Sequence, residues 1–453
     1  MRYAPPGLCV NDFALLRDEE GTYTALHLQG PWTPEFDHLR METSYGRATS
    51  TDLVNWRPEG TAFGNGLPGR FDQQAVWTMH PVHHGGDGTA MFYTGVSGLT
   101  PGGWPLQSVG LAYSDRTDGT GWRRHGTGPV VEADARWYRT GERMGWRDPF
   151  VVRDDEGDGW VMVVCASDAS LPVEVSGCVA WATSDDLEHW TVHPPLISPG
   201  DVDELECPVL EHLDDGSWLL LGSIGATRGF EAWTAPSLRG PWTRGGPLGP
   251  TGSYAPRVIA APDGSRVVLH TTPRRVGLTD SGDPCRGMLA QPKLLVTPSD
   301  ADPRLEWWPG LDAWLGDEAD EAALHAVGDI DVSGPVEITL RTDTPGGNHP
   351  ALVVGCDGNE LKVTGLDGVQ LGQATLAEPA AGLRILTIGE YVEVYADGVF
   401  VLATLSYAGY PAPWTAVADG HERAVPVRPV RLPDPHRDDA SAVWPGNPDH
   451  RAR

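Results

Sequence analysis

The stretch Thr49–Trp56, TSTDLVNW, sets the architecture, because it recurs along the chain as Ala182–Trp190, ATSDDLEHW. Weaker echoes begin at Ala112 and Thr234, and successive copies of the aspartate are 63 and 70 residues apart. Each copy follows a strand-like run and leads into a short strand, with almost no helical periodicity between them. A strand-rich unit repeated on this scale is typical of a β-propeller, and about five units fit before residue 300.

The character of the chain changes after residue 300. We predict a propeller over residues 1–300, a linker over 301–327 and a β-sandwich over 328–425. An acidic, alanine-rich stretch at 317–324 could form one short helix in the linker, and residues 426–453 read as a proline-rich tail. The predicted fold class is therefore all-β, a five-bladed propeller followed by a C-terminal sandwich.

Composition narrows the class of partner. The 453 residues carry a formal net charge of −29, which disfavours nucleic acid and anionic membranes and suits neutral or cationic small molecules. The six cysteines show no C-x-x-C spacing, so reduced thiols are expected. The N-terminus lacks the pattern of a signal peptide and no apolar run is long enough to span a bilayer, so we expect a cytoplasmic protein.

Three acids stand in apolar or aromatic surroundings: Asp12 before Phe13, Asp148 in WRDPF, and Glu206 before Cys207. An acid in a partly apolar pocket has a raised pKa and can hold a proton for a leaving group near neutral pH. Glycoside hydrolysis is chemistry that needs such carboxylates. The alternative is structural, with acids that cap turns or pair with a neighbour such as Arg147.

The ordered motifs resemble glycoside hydrolase family 32, the family of invertases, inulinases and levanases. The family has a five-bladed propeller followed by a β-sandwich, and the similarity covers nearly the whole chain in the correct order. The matching segments are Asn11-Asp12, Tyr23–Gln29, Tyr45–Trp56, Phe71–Val76, Arg147-Asp148-Pro149, Glu206-Cys207-Pro208 and Glu390–Gly398.

The resemblance implies a role for each acid. Asp12 would be the nucleophile, Glu206 the general acid/base, and Asp148 the residue that binds sugar hydroxyls and stabilises the transition state. A retaining mechanism needs one ionised and one protonated carboxyl group, and no cofactor. Further residues are expected to contact the carbohydrate substrate: Asn11, Gln29, Trp32, Phe71, Asp72, Arg147 and Cys207.

The chain departs from the family pattern at positions expected to line the pocket for the terminal sugar. Phe13-Ala14-Leu15 replaces P-N-G, Arg47 replaces a histidine, and Asp72-Gln73-Gln74 replaces S-G-S. These changes put fructose specificity in question more than catalysis. The alternatives are a glycosyl-transferring relative, an arabinan-cleaving propeller enzyme, or a carbohydrate-binding protein without turnover.

The histidines His80, His83 and His84 invite a zinc interpretation. They lie on an expected loop with no fourth ligand nearby, so exposed histidines and no metal are predicted.

Overall fold

The computed structural model describes residues 3–31, 38–85, 88–154, 156–225, 227, 229–299, 301–319 and 321–431. Strands dominate this part of the chain, as predicted, and helices are short. The described helices are the α-helix α1 (His38–Met41) and 3₁₀ turns at Val173–Val175, Val276–Leu278, Pro309–Trp314 and Leu366–Gly368. No helix among these residues combines the length and the apolar character needed to cross a bilayer.

Four consecutive four-stranded antiparallel sheets form the first four blades, each with its strands in chain order. Blade 1 comprises β1 (Leu8–Arg17), β2 (Tyr23–Pro31), β3 (Ser44–Ser50) and β4 (Arg57–Gly64). Blade 2 comprises β5 (Ala75–His83), β6 (Thr89–Leu99), β7 (Pro105–Ser114) and β8 (Arg123–Arg124). Blade 3 comprises β9 (Trp146–Arg153), β10 (Trp160–Ser167), β11 (Gly177–Ser184) and β12 (Thr191–Val192). Blade 4 comprises β13 (Glu206–His212), β14 (Trp218–Ile224), β15 (Gly229–Ala235) and β16 (Thr243–Gly249).

The fifth blade closes the ring. Its strands are β17 (Tyr254–Ala260), β18 (Arg266–Arg275), β19 (Pro284–Leu289), β20 (Lys293–Val296) and β21 (Arg304–Trp307). Strand β18 pairs with β17 on one side and with β20 and β19 on the other. Strand β19 also pairs with β1, which joins the last blade to the first. The predicted five-bladed propeller is confirmed.

The repeated sequence is the turn between the third and fourth strands of a blade. Asp52 accepts hydrogen bonds from the backbone N–H groups of the residues two and three positions later, at 2.8 and 2.7 Å. Asp186 makes the same pair at 2.9 and 2.8 Å. In both turns a leucine, Leu53 or Leu187, adopts positive φ and accepts a bond from the tryptophan indole N–H. The sequence therefore recurs because both copies form the same hydrogen-bonded turn.

Two sheets form the C-terminal sandwich, as predicted. One has the order β32-β22-β27-β28-β29 and the other β26-β25-β24-β23-β30-β31. The strands are β22 (His325–Asp331), β23 (Val336–Thr342), β24 (Pro350–Asp357), β25 (Glu360–Thr364), β26 (Gln370–Thr375), β27 (Gly382–Ile388), β28 (Tyr391–Ala396), β29 (Val399–Leu405), β30 (Tyr410–Ala418), β31 (His421–Val425) and β32 (Val427–Pro429). Alternate side chains of both sheets, including Ile338, Val354, Ile385 and Trp414, fill the core between them.

Strand positions move the predicted domain limits. The 301–327 stretch contains β21, which pairs with β20 and belongs to the fifth blade. The expected helix at 317–324 is not formed by its described residues, because Ala319 instead forms backbone hydrogen bonds with Val427. Strand β32 lies within the predicted tail and pairs with β22. Residues 432–453 of that tail lie outside the described part of the chain.

A buried polar cluster joins the propeller to the sandwich. Lys293 of blade 5 and Glu393 of β28 form an ion pair, and the side chains of both are 0% exposed. Glu393 also accepts hydrogen bonds from Tyr391, Tyr395 and Gln291. Because every oxygen of this carboxylate has donors, the cluster can be buried without an unpaired charge.

Candidate active site

The innermost strand of every blade is irregular at the same level of the channel. Pairing with the second strand is interrupted between Val10 and Phe13 in β1 and around Thr78 in β5. The interruption recurs in β9, β13 and β17. A bulge changes the direction of the side chain it carries. Five bulges around one axis therefore direct their residues towards the same space. The bulged residues are Asp12, Thr78, Asp148, Cys207 and Ala255.

Three of these bulges share a backbone signature. Asp148, Cys207 and Ala255 have φ values of 61°, 49° and 50°, and each is followed by proline. Positive φ is unfavourable for residues other than glycine and is found where surrounding structure enforces it, often at functional sites. The R-D-P and E-C-P motifs are thus two copies of one bulge, and Tyr254-Ala255-Pro256 is the third.

Asp12 is held in the channel by its neighbours. It is 8% exposed, and the hydroxyl of the fully buried Thr78 donates a hydrogen bond to its carboxylate. The adjacent Asn11 donates from Nδ2 to Glu42 Oε1 at 3.0 Å. Glu42 is only 2% exposed and lines the same cavity. Asp12 and Glu42 are therefore two largely buried acids in the lining of one cavity.

Asp148 is fixed by hydrogen bonds to residues of blades 2 and 4. Its own N–H donates to Thr94 Oγ1 at 2.9 Å, and the N–H of Cys207 donates to its Oδ2 at 2.9 Å. The carboxylate is 3% exposed and lies 3.7 Å from Arg147 Nε. A carboxylate held in this way is oriented to accept hydrogen bonds from a bound ligand.

Glu206 shares one arginine with a second acid. Arg147 Nη2 lies 2.6 Å from Glu206 Oε1 and 2.8 Å from Glu204 Oε1. Burial raises the pKa of Glu206 to about 7, against the opposing effect of Arg147. The charges of Glu204 and Asp148 raise this pKa further. A side chain that is 22% exposed and protonated near neutral pH is suited to general acid catalysis.

A cavity of about 940 Å³ connects these groups. Among the predicted site residues, five line it: Asn11, Asp12, Arg147, Asp148 and Glu206. Further lining residues that sequence reasoning did not assign to the site include Glu42, Thr78, Trp104, Glu204 and Tyr254. Thr78 and Tyr254 could have been found by aligning the five inner strands, because both flank or occupy a bulge. Glu42 follows a short helix and carries no comparable signal.

Cys207 lies beneath the cavity and packs with Tyr254 and Ala255. Its sulfur and the carboxylate oxygens of Asp12 and Asp148 lie within 4.8 Å of one another, a spacing at which a cation could be held. Burial raises the pKa of this thiol well above its usual value, so the sulfur keeps its proton at neutral pH. The contribution of Cys207 to the site is its backbone N–H.

Besides Cys207, three residues expected to contact the sugar lie outside the cavity lining, which corrects that expectation. Gln29 Nε2 instead donates to Ser44 Oγ at 3.3 Å and Thr61 Oγ1 at 3.0 Å within its own blade. Phe71 packs in the core of blade 2, with its ring centroid 5.9 Å from that of Tyr93. Asp72 is fully buried and accepts a hydrogen bond from Arg124 Nε at 2.6 Å.

Trp32, also expected in the site, lies outside the described residues.

The expectation of exposed histidines is wrong for His80. Its ring stacks on Phe150 with centroids 3.8 Å apart, and Nδ1 accepts a hydrogen bond from the N–H of Val151 at 3.0 Å. Burial lowers the pKa of His80 to about 3, so this imidazole is neutral. His83 is exposed as predicted and His84 is half-buried, and His80 and His83 lie in β5 instead of the expected loop.

Comparison with known proteins identifies the class. The family described as "Glycosyl hydrolases family 32 N-terminal domain" matches residues 3–232, half of the chain. The protein therefore belongs to glycosyl hydrolase family 32, as the ordered motifs predicted.

Individual relatives fit this assignment. A levanase from Bacillus sp. strain L7 is 30% identical over 236 residues, covering 47% of this chain and 22% of the relative. An extracellular exo-inulinase from Aspergillus awamori is 28% identical over 284 residues, covering 58% and 48%. The matched segments thus span about half or less of the length of these curated relatives.

Solved structures show the same fold. The exo-inulinase from Aspergillus awamori superimposes with a TM-score of 0.72 at 17% identity, covering 96% of this chain and 98% of that one. A Bombyx mori β-fructofuranosidase superimposes with a TM-score of 0.71 at 17% identity, covering 94% of both chains. These likenesses extend over propeller and sandwich together.

Proposed function

We propose that the protein is a retaining glycoside hydrolase that acts on fructosides. The observation that carries this proposal is the meeting of Asp12, Asp148 and Glu206 in one cavity, with the pKa of Glu206 raised to about 7. Two carboxyl groups with different protonation states are what a retaining mechanism requires.

In the first step, Asp12 attacks the anomeric carbon while Glu206 donates its proton to the leaving oxygen. The bond to the leaving group breaks and a covalent glycosyl ester forms on Asp12. Arg147, 2.6 Å from Glu206, stabilises the carboxylate that this proton transfer creates. In the second step, Glu206 takes a proton from water, which attacks the ester and releases the sugar and the Asp12 carboxylate.

Fructose as the glycone is supported by the printed names of the relatives, a levanase and exo-inulinases. The departures that put fructose in question also lie away from the cavity lining. Phe13 is buried in the blade core, and Arg47 Nε donates to the carbonyl of Asp118 at 2.6 Å. Gln73 bonds the carbonyl of Ser97 at 2.8 Å. None of these three side chains needs to contact the sugar.

The test compares the parent with Asp12→Asn and Glu206→Gln on sucrose, inulin, levan and aryl furanosides. Released sugar is expected from the parent and is expected to collapse in both variants. Asp115→Asn and Glu19→Gln, at exposed sites outside the cavity, are the matched controls and should retain activity.

Other outcomes would contradict the proposal. A parent that releases no sugar, yet melts at a higher temperature when a sugar is added, would indicate a binding protein. Transfer of the fructosyl group to a second sugar, with the leaving group set free but no free fructose formed, would indicate a glycosyl-transferring relative. The carbohydrate is the partner we propose, and a cytoplasmic location stays a prediction, since the exo-inulinase relatives are named extracellular.

A further inference from the structure

Exposure increases along the cavity. Asp148 and Asp12 are 3% and 8% exposed, the side chain of Glu206 is 22% exposed, and Trp104 is 37% exposed. All four line the same cavity. The sugar that reacts with Asp12 must therefore sit at the closed end, with Glu206 at the bond to be cleaved. The leaving group then points towards Trp104 at the mouth.

The tip of the hairpin between β6 and β7 fixes Trp104 in place. Thr100 and Trp104 are joined by two hydrogen bonds, from Thr100 N to the carbonyl of Trp104 at 2.7 Å and from Trp104 N to Thr100 Oγ1 at 3.0 Å. Gly103 has φ of 86°, which a residue with a Cβ would adopt only under strain. Two more apolar residues of this hairpin, Leu99 and Leu106, are exposed beside it.

A loop from blade 3 supports the tip. The Arg143 guanidinium lies 5.6 Å from the centroid of the Trp104 ring, and Arg143 also lines the cavity. The Glu142 side chain lies so close to Gly102 that a Cβ there would meet its carboxylate at 2.4 Å. The exposed indole is thus braced by two loops at the entrance of the site, which is not where a tryptophan that only fills a core would lie.

The size of the cavity supports a second binding position. Its volume of about 940 Å³ is near the upper end of the range for drug-sized ligands, and a single furanose ring is much smaller than that. An aromatic face buries the apolar C–H face of a sugar ring, while the rim acids Asp203 and Glu204 can accept hydrogen bonds from its hydroxyl groups.

We infer that Trp104 is the stacking platform for a leaving group that is a sugar ring. The inference rests on the proposed function and deepens it, because it assigns recognition of the leaving group to one residue of this chain. Trp104 is then a specificity-determining residue, and it takes no part in bond breaking.

The experiment measures kcat/KM of the full-length parent and of Trp104→Ala and Trp104→Phe on two substrates. One is 1-kestose, whose leaving group is a sugar, and the other is methyl β-fructofuranoside, whose leaving group is methanol. Trp104→Ala is expected to lose about 3- to 10-fold on 1-kestose and less than about 2-fold on the methyl glycoside. Trp104→Phe, which keeps an aromatic face, should recover most of the loss.

Trp137 provides the matched control. It is 36% exposed and has Arg136 at 5.8 Å from its ring, yet it lies outside the cavity lining. Trp137→Ala should leave the ratio of the two kcat/KM values unchanged. Equal losses on both substrates in Trp104→Ala, or no loss on either, would overturn the inference while leaving the proposed function intact. A parent inactive on both substrates would overturn the proposed function and the inference together.

Discussion

Two glutamates of this protein, Glu393 and Glu206, have different roles. Glu393, between propeller and sandwich, is 0% exposed and is surrounded by Lys293, Gln291, Tyr391 and Tyr395. Glu206 shares a single arginine with Glu204 and faces a cavity. The difference teaches that a carboxylate enclosed by several donors is structural, whereas one that shares a single donor and faces a cavity can be reactive.

The largest expected effect is on catalysis and concerns Asp12, in the cavity that Glu206 faces. Asp12→Asn removes the nucleophile but leaves a side chain of the same shape that can still bond Thr78. We expect kcat to fall by about 10⁴-fold or more, with little change in melting temperature. Steady-state kinetics and thermal unfolding of the same preparation check both points. Retention of a tenth of the parent activity would show that Asp12 is not the nucleophile.

The next largest effect is expected at Glu393, the structural glutamate. Glu393→Ala leaves the ammonium of Lys293 buried without its carboxylate, so the free energy of unfolding should fall by about 3–5 kcal/mol. Urea unfolding measures this loss, and Glu337→Ala, at an exposed position of β23, is the control. The comparison predicts that the folded fraction of Glu393→Ala keeps the parent kcat. A tenfold fall in kcat with unchanged stability would reverse the roles we assign.

Glu206→Gln should act on stability in the opposite direction. Because the pKa of Glu206 is raised from 4.5 to about 7, the folded state holds a proton that the unfolded state loses between these values. The stability of the parent therefore falls as the pH rises through this window. The neutral glutamine lacks this loss, so we expect the variant to be more stable by about 1–2 kcal/mol at pH 8 and by less at pH 5. A variant less stable than the parent at pH 8 would contradict the assigned shift.

The smallest effect concerns the shared arginine. Glu204→Gln removes a negative charge that raises the pKa of Glu206. It also removes the ion pair of Glu204 with Arg147, so that Arg147 pairs with Glu206 only. Since Glu206 must be protonated to act as an acid, kcat/KM should fall above its pKa. The alkaline limb of the pH profile should therefore move to lower pH by a few tenths of a unit. A shift to higher pH would show that Glu204 acts on Glu206 in another way.

The fold could be predicted because the repeated turn, which ends at Trp56 in one copy and at Trp190 in the other, is formed by residues close together in the sequence. Its aspartate accepts hydrogen bonds from backbone N–H groups two and three residues later, and its tryptophan donates to the leucine carbonyl, so the sequence records the turn directly. The R-D-P and E-C-P motifs identified Asp148 and Glu206 for a similar reason, since each is a bulge built within a few residues.

The rest of the site depends on which blades face each other. Glu42 and Trp104 lie at unremarkable places in the sequence and come to line the cavity only in the closed ring of blades. The prediction that Gln29 and Asp72 contact the sugar is wrong for a different reason. Their surroundings in the sequence match the family, but their side chains find partners within their own blades, Thr61 for Gln29 and Arg124 for Asp72.

The central claim is that Asp12 forms a glycosyl ester that Glu206 helps to release with retained configuration. The most direct test adds methanol during turnover of sucrose or inulin and determines the anomeric configuration of the methyl glycoside by NMR. The account predicts methyl β-fructofuranoside from the parent and no methyl glycoside from Asp12→Asn. The α-anomer from the parent, or any methyl glycoside from the variant, would contradict it.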